Sequence, residues 1–468
     1  MRGRNYLSVI TRYRTDNSSI ASLQGRRRGS IKEDRLSLLR ASLAIGLGLS
    51  SVQAADVIVR LERPLAAKAT LPGFTGAELL VPDMNIYLLR DASKSATDAQ
   101  SLRKAFRTRG VKGAMANSKL SWRAVTPNDP AFVQQWGPTK IGAPAAWALG
   151  TGGQNSDRDD IVVAVVDGGV DVAHEDLKAN IWTNTAEIAG NSIDDDGNGY
   201  VDDVYGWNGY NNTGAIRKDM HGTHVAGIIG AEGGNGKHIA GLNWDLKIMT
   251  VSASSGDTAI VLRGYGYVLA QKKLWLSSGG AKGANVVATN SSFGVDGANC
   301  SDTNFKLWND IYEEMGKAGI LSAAATANQA WDIDRTGDVP TSCVSEYVVA
   351  VTNTTKDDKL FRSAGWGKTH VDLGAPGTDV YSTVTDNAAR NLTGTSMATP
   401  HVAGAVGFLY SVGSSRFTAL SKSDPAKAAL AVKAALLSTV DPLDDLKDRT
   451  VTGGRLNLAK AATSLSRY

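Results

Sequence analysis

The chain has 468 residues, 42% of them hydrophobic and 21% charged, a balance too apolar for a disordered protein. No apolar run approaches the ~18–20 residues that span a bilayer. The net charge of +4 is local: residues 1–40 carry nine Arg and one Lys against two Asp and one Glu, so the remaining 428 residues sum to −3 and make a poor phosphate binder.

Arg35 to Arg40 precede the apolar stretch Ala41 to Leu49, which is too short for a membrane span. Val52-Gln53-Ala54 then supplies small residues at cleavage positions. Residues 1–54 therefore read as an export signal behind a long basic leader, and a secreted or periplasmic destination is expected. A basic tail before a buried helix is the alternative. Residues 55–125 read as a small mixed domain, with strand character over Val57–Leu61 and Ile86–Leu89 and a helix over Asp98–Arg107. Val125 to Pro130 holds two prolines with Asn and Asp, which favours extended and turn conformations and marks the boundary to a main domain over 126–468. No internal repeat is present, and the 50 glycines follow no three-residue period, which excludes collagen.

From about residue 160 short, nearly unbroken apolar runs recur: 161–166, 247–251, 285–288, 320–325 and 347–351. Such runs fit strands buried on both faces. Helical patterns lie between them, over 221–230, 258–272, 304–317, 396–410 and 424–437. Alternation of this kind predicts an α/β fold of three layers, a mostly parallel central sheet with helices on both faces. Two cysteines exclude a disulfide-built scaffold and offer no zinc pattern. Cys300 and Cys343 could pair in an oxidising compartment, or stand as two buried free thiols.

Three segments carry chemistry. The first apolar run ends in Val165-Val166-Asp167-Gly168-Gly169, which puts Asp167 at the carboxyl edge of a strand, where α/β proteins build sites. His221-Gly-Thr-His-Val-Ala-Gly227 opens an apolar helix, and Gly394-Thr-Ser396-Met-Ala-Thr-Pro400-His401 opens another. Acyl transfer needs a hydroxyl made nucleophilic, a base near neutral pH and an acid that orients the base; Ser396, His221 and Asp167 supply these types. Pro400 is read into the first helical turn, where a missing N–H costs nothing. His224 and His401 lie on apolar helix faces and are read as packing residues.

With its motifs in the order Asp, His, Ser, the chain resembles the subtilisin-like serine peptidases over roughly residues 130–468. The upstream segment resembles that family's inhibitory propeptide in position and size. The resemblance implies a serine endopeptidase made as a zymogen, acting as a monomer on polypeptide substrates. It implies no nucleic-acid partner and no membrane association after processing. Asn328 takes the oxyanion-binding role by position. Ser292, Phe293 and Gly294 form one wall of the primary substrate pocket, with Ala325, Thr326 and Ala327 as the other. Asp338, before Val339-Pro340, falls at the base of that pocket, where it could select Lys or Arg before the scissile bond, or be neutralised by Arg335. Two departures from the family pattern are Gly168, where Ser or Thr is usual, and Ala327, where Gly is usual. They leave a rival reading, a catalytically impaired peptide-binding protein of the same fold.

Oxygen side chains recur at alternate positions in Asp194-Asp-Asp196-Gly-Asn198-Gly-Tyr200-Val-Asp202-Asp203, a pattern that suits Ca2+. Counted as an EF-hand loop, Asp194 stands first and Tyr200 seventh, the twelfth position is Tyr205 rather than Glu, and Asp202 or Asp203 must substitute. A second calcium site is implied by the resemblance, at Asp176 and Asn235. No organic cofactor is expected.

Overall fold

The computed structural model describes residues 56–118 and 124–468, apart from 67, 94 and 467; the export signal expected over 1–54 lies outside the described residues. By contacts the chain divides into two units, Met1–Lys119 and Leu120–Tyr468.

The first unit holds β1 (Val57–Leu61), β2 (Phe74–Val81), β3 (Ile86–Asp91), helix α1 (Asp98–Arg107) and β4 (Val111–Ala116). The strands form an antiparallel sheet in the order β2-β3-β1-β4. Alternation sorts β1: Val57, Val59 and Leu61 are buried with Leu89, Phe74 and Ala105 under α1, while Ile58 and Arg60 point the other way. Thr97 starts α1 with a capping box, exchanging hydrogen bonds with Gln100. β2 and β4 escaped the sequence reading because their mostly exposed, Gly- and Ala-containing stretches show no clean alternation.

The second unit begins with two short helices, α2 (Trp136–Lys140) and α3 (Ala143–Ala146). Then follow β5 (Val162–Asp167), β6 (Gly206–Asn208), α4 (Met220–Gly230), β7 (Lys247–Ser252), α5 (Thr258–Ser277), β8 (Val286–Ser291) and β9 (Val295–Asp296). The chain continues through α6 (Lys306–Lys317), β10 (Leu321–Ala325), α7 (Ile333–Thr336), β11 (Asp338–Val339), β12 (Val348–Thr354), β13 (Leu373–Pro376), β14 (Val380–Val384) and β15 (Ala388–Leu392). It ends with α8 (Thr395–Val412), α9 (Ser415–Ser423), α10 (Pro425–Ser438), β16 (Asp441–Pro442), β17 (Gly454–Arg455) and α11 (Leu458–Leu465).

Nine strands make the central sheet, in the order β16-β17-β13-β12-β10-β8-β5-β7-β6, parallel except for β16. Val163 and Val165 pack with α4, α8, α10 and α11 on one face; Val162, Ala164 and Val166 pack with α5 and α6 on the other. The three layers match the sequence expectation. β8 runs three residues past the apolar run, through Thr289, Asn290 and Ser291, because partners inside the protein satisfy polar groups there; Thr289 Oγ1 donates to Ser322 Oγ at 2.9 Å. Cys300 and Cys343 are joined in a disulfide, beside the two-stranded ribbon in which β9 pairs with β11.

Candidate active site

β5, β8 and β10 end along one carboxyl edge of the sheet, and the candidate residues follow those ends. Asp167, the last residue of β5, is buried, and its Oδ1 accepts the Gly168 N–H at 2.7 Å. His221 sits in the first turn of α4, and its Nδ1 lies 2.9 and 3.1 Å from the two Asp167 oxygens. Glycines make this approach possible: a Cβ on Gly222 would stand 2.0 Å from the Gly169 carbonyl oxygen and 3.0 Å from Asp167 Cβ.

Asp219 caps α4, accepting the Gly222 N–H at 3.0 Å, and its carboxylate is the third member of a cluster with Asp167 and His221 whose polar atoms lie within 4.8 Å of one another. Burial works against charging His221, but the Asp167 charge and hydrogen bond, with Asp219 behind them, outweigh it and raise the imidazole pKa. Asp219 also accounts for Gly168. A Cβ there would meet the Asp219 carboxyl carbon at 2.8 Å, so the space a Ser or Thr would need is filled by a second anion. Asp219 is not among the residues singled out from the sequence; its place as a polar residue just before an apolar helix is the signal that marks it.

Ser396 is the second residue of α8 and buried, and its hydroxyl donates to the Ser292 carbonyl at 3.3 Å. Ser292 Oγ in turn donates to the Ser396 carbonyl at 2.9 Å. That second bond follows from Pro400, which stands inside the helix rather than in its first turn as the sequence reading had it. With no N–H at Pro400, the carbonyl four residues back has lost its helical donor, and Ser292 replaces it.

Asn328 is exposed, and its Oδ1 accepts the Thr395 N–H at 3.0 Å and the Thr395 hydroxyl at 3.1 Å. Ala327 does not adopt a positive φ, so alanine is unstrained where the family usually has glycine. Ser292, Phe293, Gly294, Ala325, Thr326, Ala327, Asn328 and Asp338 line one pocket of about 80 Å³ together with Thr395 and Ser396. Asp296, which the sequence reading did not single out, lines it too. His224 and His401 are buried and bonded to carbonyls, of Val380 and Arg390 and of Met397 respectively; burial lowers each to about 4, so both are neutral packing residues.

The acidic loop differs in part from the EF-hand count. Asp194 and Asp196 come together with Glu187, their oxygens within 4.8 Å of one another. Asn198 holds the loop by donating from its backbone to both aspartates, and Tyr200 donates its N–H to Asn198 Oδ1 at 2.7 Å. Asp202 is turned to the Gly190 and Ser192 amides, at 2.7 and 3.1 Å. Asp203 is fully buried and receives Tyr267, Gln271, Asn184 and Asn198; burial raises it to about 6. Among the described residues Glu187 is the carboxylate grouped with Asp194 and Asp196, and its oxygens also accept the Asp195, Asp196 and Asp202 N–H groups.

At the second candidate metal site Asp176 is fully buried and receives Asn235 Nδ2 at 2.9 Å and the Ile239 N–H at 3.1 Å. Asp129, unnoticed in the sequence, joins them: its Oδ2 accepts the Gly234 N–H at 2.7 Å, while its buried Oδ1 has no partner among the described residues. Burial, with the Asp176 charge added, raises Asp129.

Residues 158–457 match the profile of the subtilase family. The chain belongs to that family. Subtilisin-like protease 1 of Plasmodium falciparum is 32% identical over 270 residues, which cover 53% of this chain and 37% of that protein, so the chain spans little more than a third of that relative's length. Thermitase of Thermoactinomyces vulgaris is 30% identical over 297 residues, 62% of this chain and 87% of the relative. A solved structure described as proteases from Pseudoalteromonas arctica PAMC 21717 superposes with a TM-score of 0.53 at 24% identity, over 73% of this chain and all of that one, a likeness of fold. Among the described residues no helix is long and apolar enough to cross a membrane.

Proposed function

We propose that this subtilase is an exported serine endopeptidase, made as a zymogen, that hydrolyses peptide bonds through Ser396, His221 and Asp167. The observation that carries the reading is the paired contact of His221 Nδ1 with the Asp167 carboxylate, taken together with a pocket lined by both Ser396 and Asn328. With Nδ1–H held by Asp167, the free Nε2 is the basic nitrogen. For reaction the Ser396 hydroxyl rotates away from the Ser292 carbonyl and gives its proton to Nε2 while Oγ bonds to the substrate carbonyl carbon. The same proton passes to the leaving amine, and water then repeats the cycle on the acyl-enzyme. Asn328 Nδ2 and the Ser396 N–H would stabilise the oxyanion, and one such donor contributes about 3–4 kcal/mol.

Glu187, Asp194 and Asp196 fit a hard cation. At the second loop the buried Asp129 and Asp176 carboxylates supply suitable oxygens, with Asp129 Oδ1 unpartnered among the described residues, whereas Asn235 turns its amide nitrogen to Asp176 and would have to flip to join them. Ca2+ bound at these loops would neutralise carboxylates that otherwise repel one another, a structural rather than chemical part. The first unit is read as the inhibitory propeptide. Its sheet is covered by α1 on one face, while Ile58, Leu88 and Met115, cross-strand neighbours, lie on the other. An apolar sheet face of this kind suits docking on a partner. Added in trans, residues 55–125 should inhibit the mature enzyme; inhibition no better than by an unrelated peptide would remove this part of the reading.

A fluorophosphonate probe tests the whole. Labelling of Ser396, lost in Ser396→Ala together with casein hydrolysis, is expected. The Ser396 to Ser292 hydrogen bond is the observation that favours the rival, a peptide-binding protein without turnover, and absence of labelling in the processed protein would decide for it.

A further inference from the structure

Asp296 and Asp338 are direct cross-strand partners in the ribbon of β9 and β11, and both line the pocket that holds Ser396. Asp338 is 1% exposed, while Asp296 is open to solvent. Thr341 Oγ1 donates to Asp338 Oδ2 at 2.5 Å; Oδ1 lies beside Gly294, 3.2 Å from where a Cβ on that glycine would stand.

No ion pair among the described residues neutralises either carboxylate. On α7, Asp334 is turned to His370, and Arg335 is exposed and forms no ion pair with either aspartate. The exit of β10, Ala325 to Asn328, carries no titratable side chain. Among the described residues no Lys, Arg or His lies within ion-pair distance, 4.0 Å, of Asp296 or Asp338. Like charges directly opposite each other on a ribbon destabilise it, and a buried carboxylate without a counter-charge is costly. A cation entering the pocket relieves both.

We infer that Asp296 and Asp338 together form a two-carboxylate specificity pocket that selects a Lys or Arg side chain immediately before the scissile bond, and that this preference strengthens as pH rises. The inference rests on the peptidase reading above and deepens it with a second selector. Burial, opposed by the Thr341 hydrogen bond and reinforced by the Asp296 charge, pushes Asp338 up to about 7. Below that pH the pocket base is a neutral acid, and only the solvent-screened Asp296 attracts a cation. Above it both carboxylates do.

The test uses three peptides that differ only in the residue before the scissile bond: Lys, Gln or Leu. The quantity read is the Lys-to-Gln ratio of kcat/KM between pH 5.5 and 9, in which the titration of His221 cancels because both substrates share it. The ratio is expected to rise about 10- to 100-fold across this range, the worth of a charge-assisted contact. Asp338→Asn should flatten the rise. Asp296→Asn, a surface change that spares folding, should lower the ratio and move its midpoint to lower pH, because removing a like charge eases ionisation of Asp338. A wild-type ratio that stays near one, or that does not change with pH while the Leu peptide is turned over, would overturn the inference alone. No turnover of any peptide, with no labelling of Ser396, would overturn the peptidase reading instead.

Discussion

Replacing Asp219 by Asn separates electrostatics from architecture at the candidate base. Asn is as good a helix cap as Asp, so the bond to the Gly222 N–H survives and only the charge is lost. An Asp219 oxygen lies within 4.8 Å of a His221 ring nitrogen. Coulomb's law at that distance gives about 0.9 kcal/mol in a water-like dielectric and about 3.5 kcal/mol at an effective dielectric of 20. The His221 side chain is 36% exposed, so solvent screening puts the effect toward the lower figure, roughly a fivefold change in proton affinity. Loss of an anion disfavours the imidazolium. The base then stays deprotonated to lower pH, and the acid limb of kcat/KM should move down by rather more than half a pH unit with its plateau kept. The assay is a pH profile on a neutral peptide at low and high salt, and the displacement should shrink as salt screens the pair. An acid limb that stays in place, or moves up, would refute the assignment of Asp219 as the second anion behind His221.

Calcium added after chelation should raise the melting temperature, by about 2.7 kcal/mol of stability when the ion is a hundredfold above its Kd. Glu187→Gln should shrink that gain, whereas Asp202→Asn, which alters amide caps instead, should lower stability equally with and without the ion. Lys272 is buried against Asn285, and burial lowers it to about 7, far below its unfolded value of 10.5. Unfolding therefore takes up a proton between those values, so stability should rise with pH through that window; denaturant titrations of Lys272→Met should lack this rise. Gly222→Ala should cost about 1–3 kcal/mol or more and displace His221, read as a lower unfolding midpoint together with lost turnover, because its Cβ would overlap the Gly169 carbonyl.

Much of this protein is legible along the chain because its determinants are local. Five unbroken apolar runs mark β5, β7, β8, β10 and β12, since a strand buried on both faces has no polar side to show. The motifs around Asp167, His221 and Ser396 are equally local, each a tight turn joined to a strand end or a helix start. β13 and the β14–β15 hairpin stayed hidden: β13 is four residues ending in proline, and β15 is largely solvent-facing. What only tertiary structure decided are side-chain directions and meetings across long separations. Asp203, adjacent to Asp202, is buried against α5, and Glu187, remote from any pattern in the loop, is grouped with Asp194 and Asp196. Asp129 reaches Gly234 across 105 residues, and Asp296 meets Asp338 only because β9 and β11 pair in that register. Periodicity tells which face a residue occupies within its own element. Which charge lies opposite it is set by the packing of elements remote in sequence, and no local pattern carries that information.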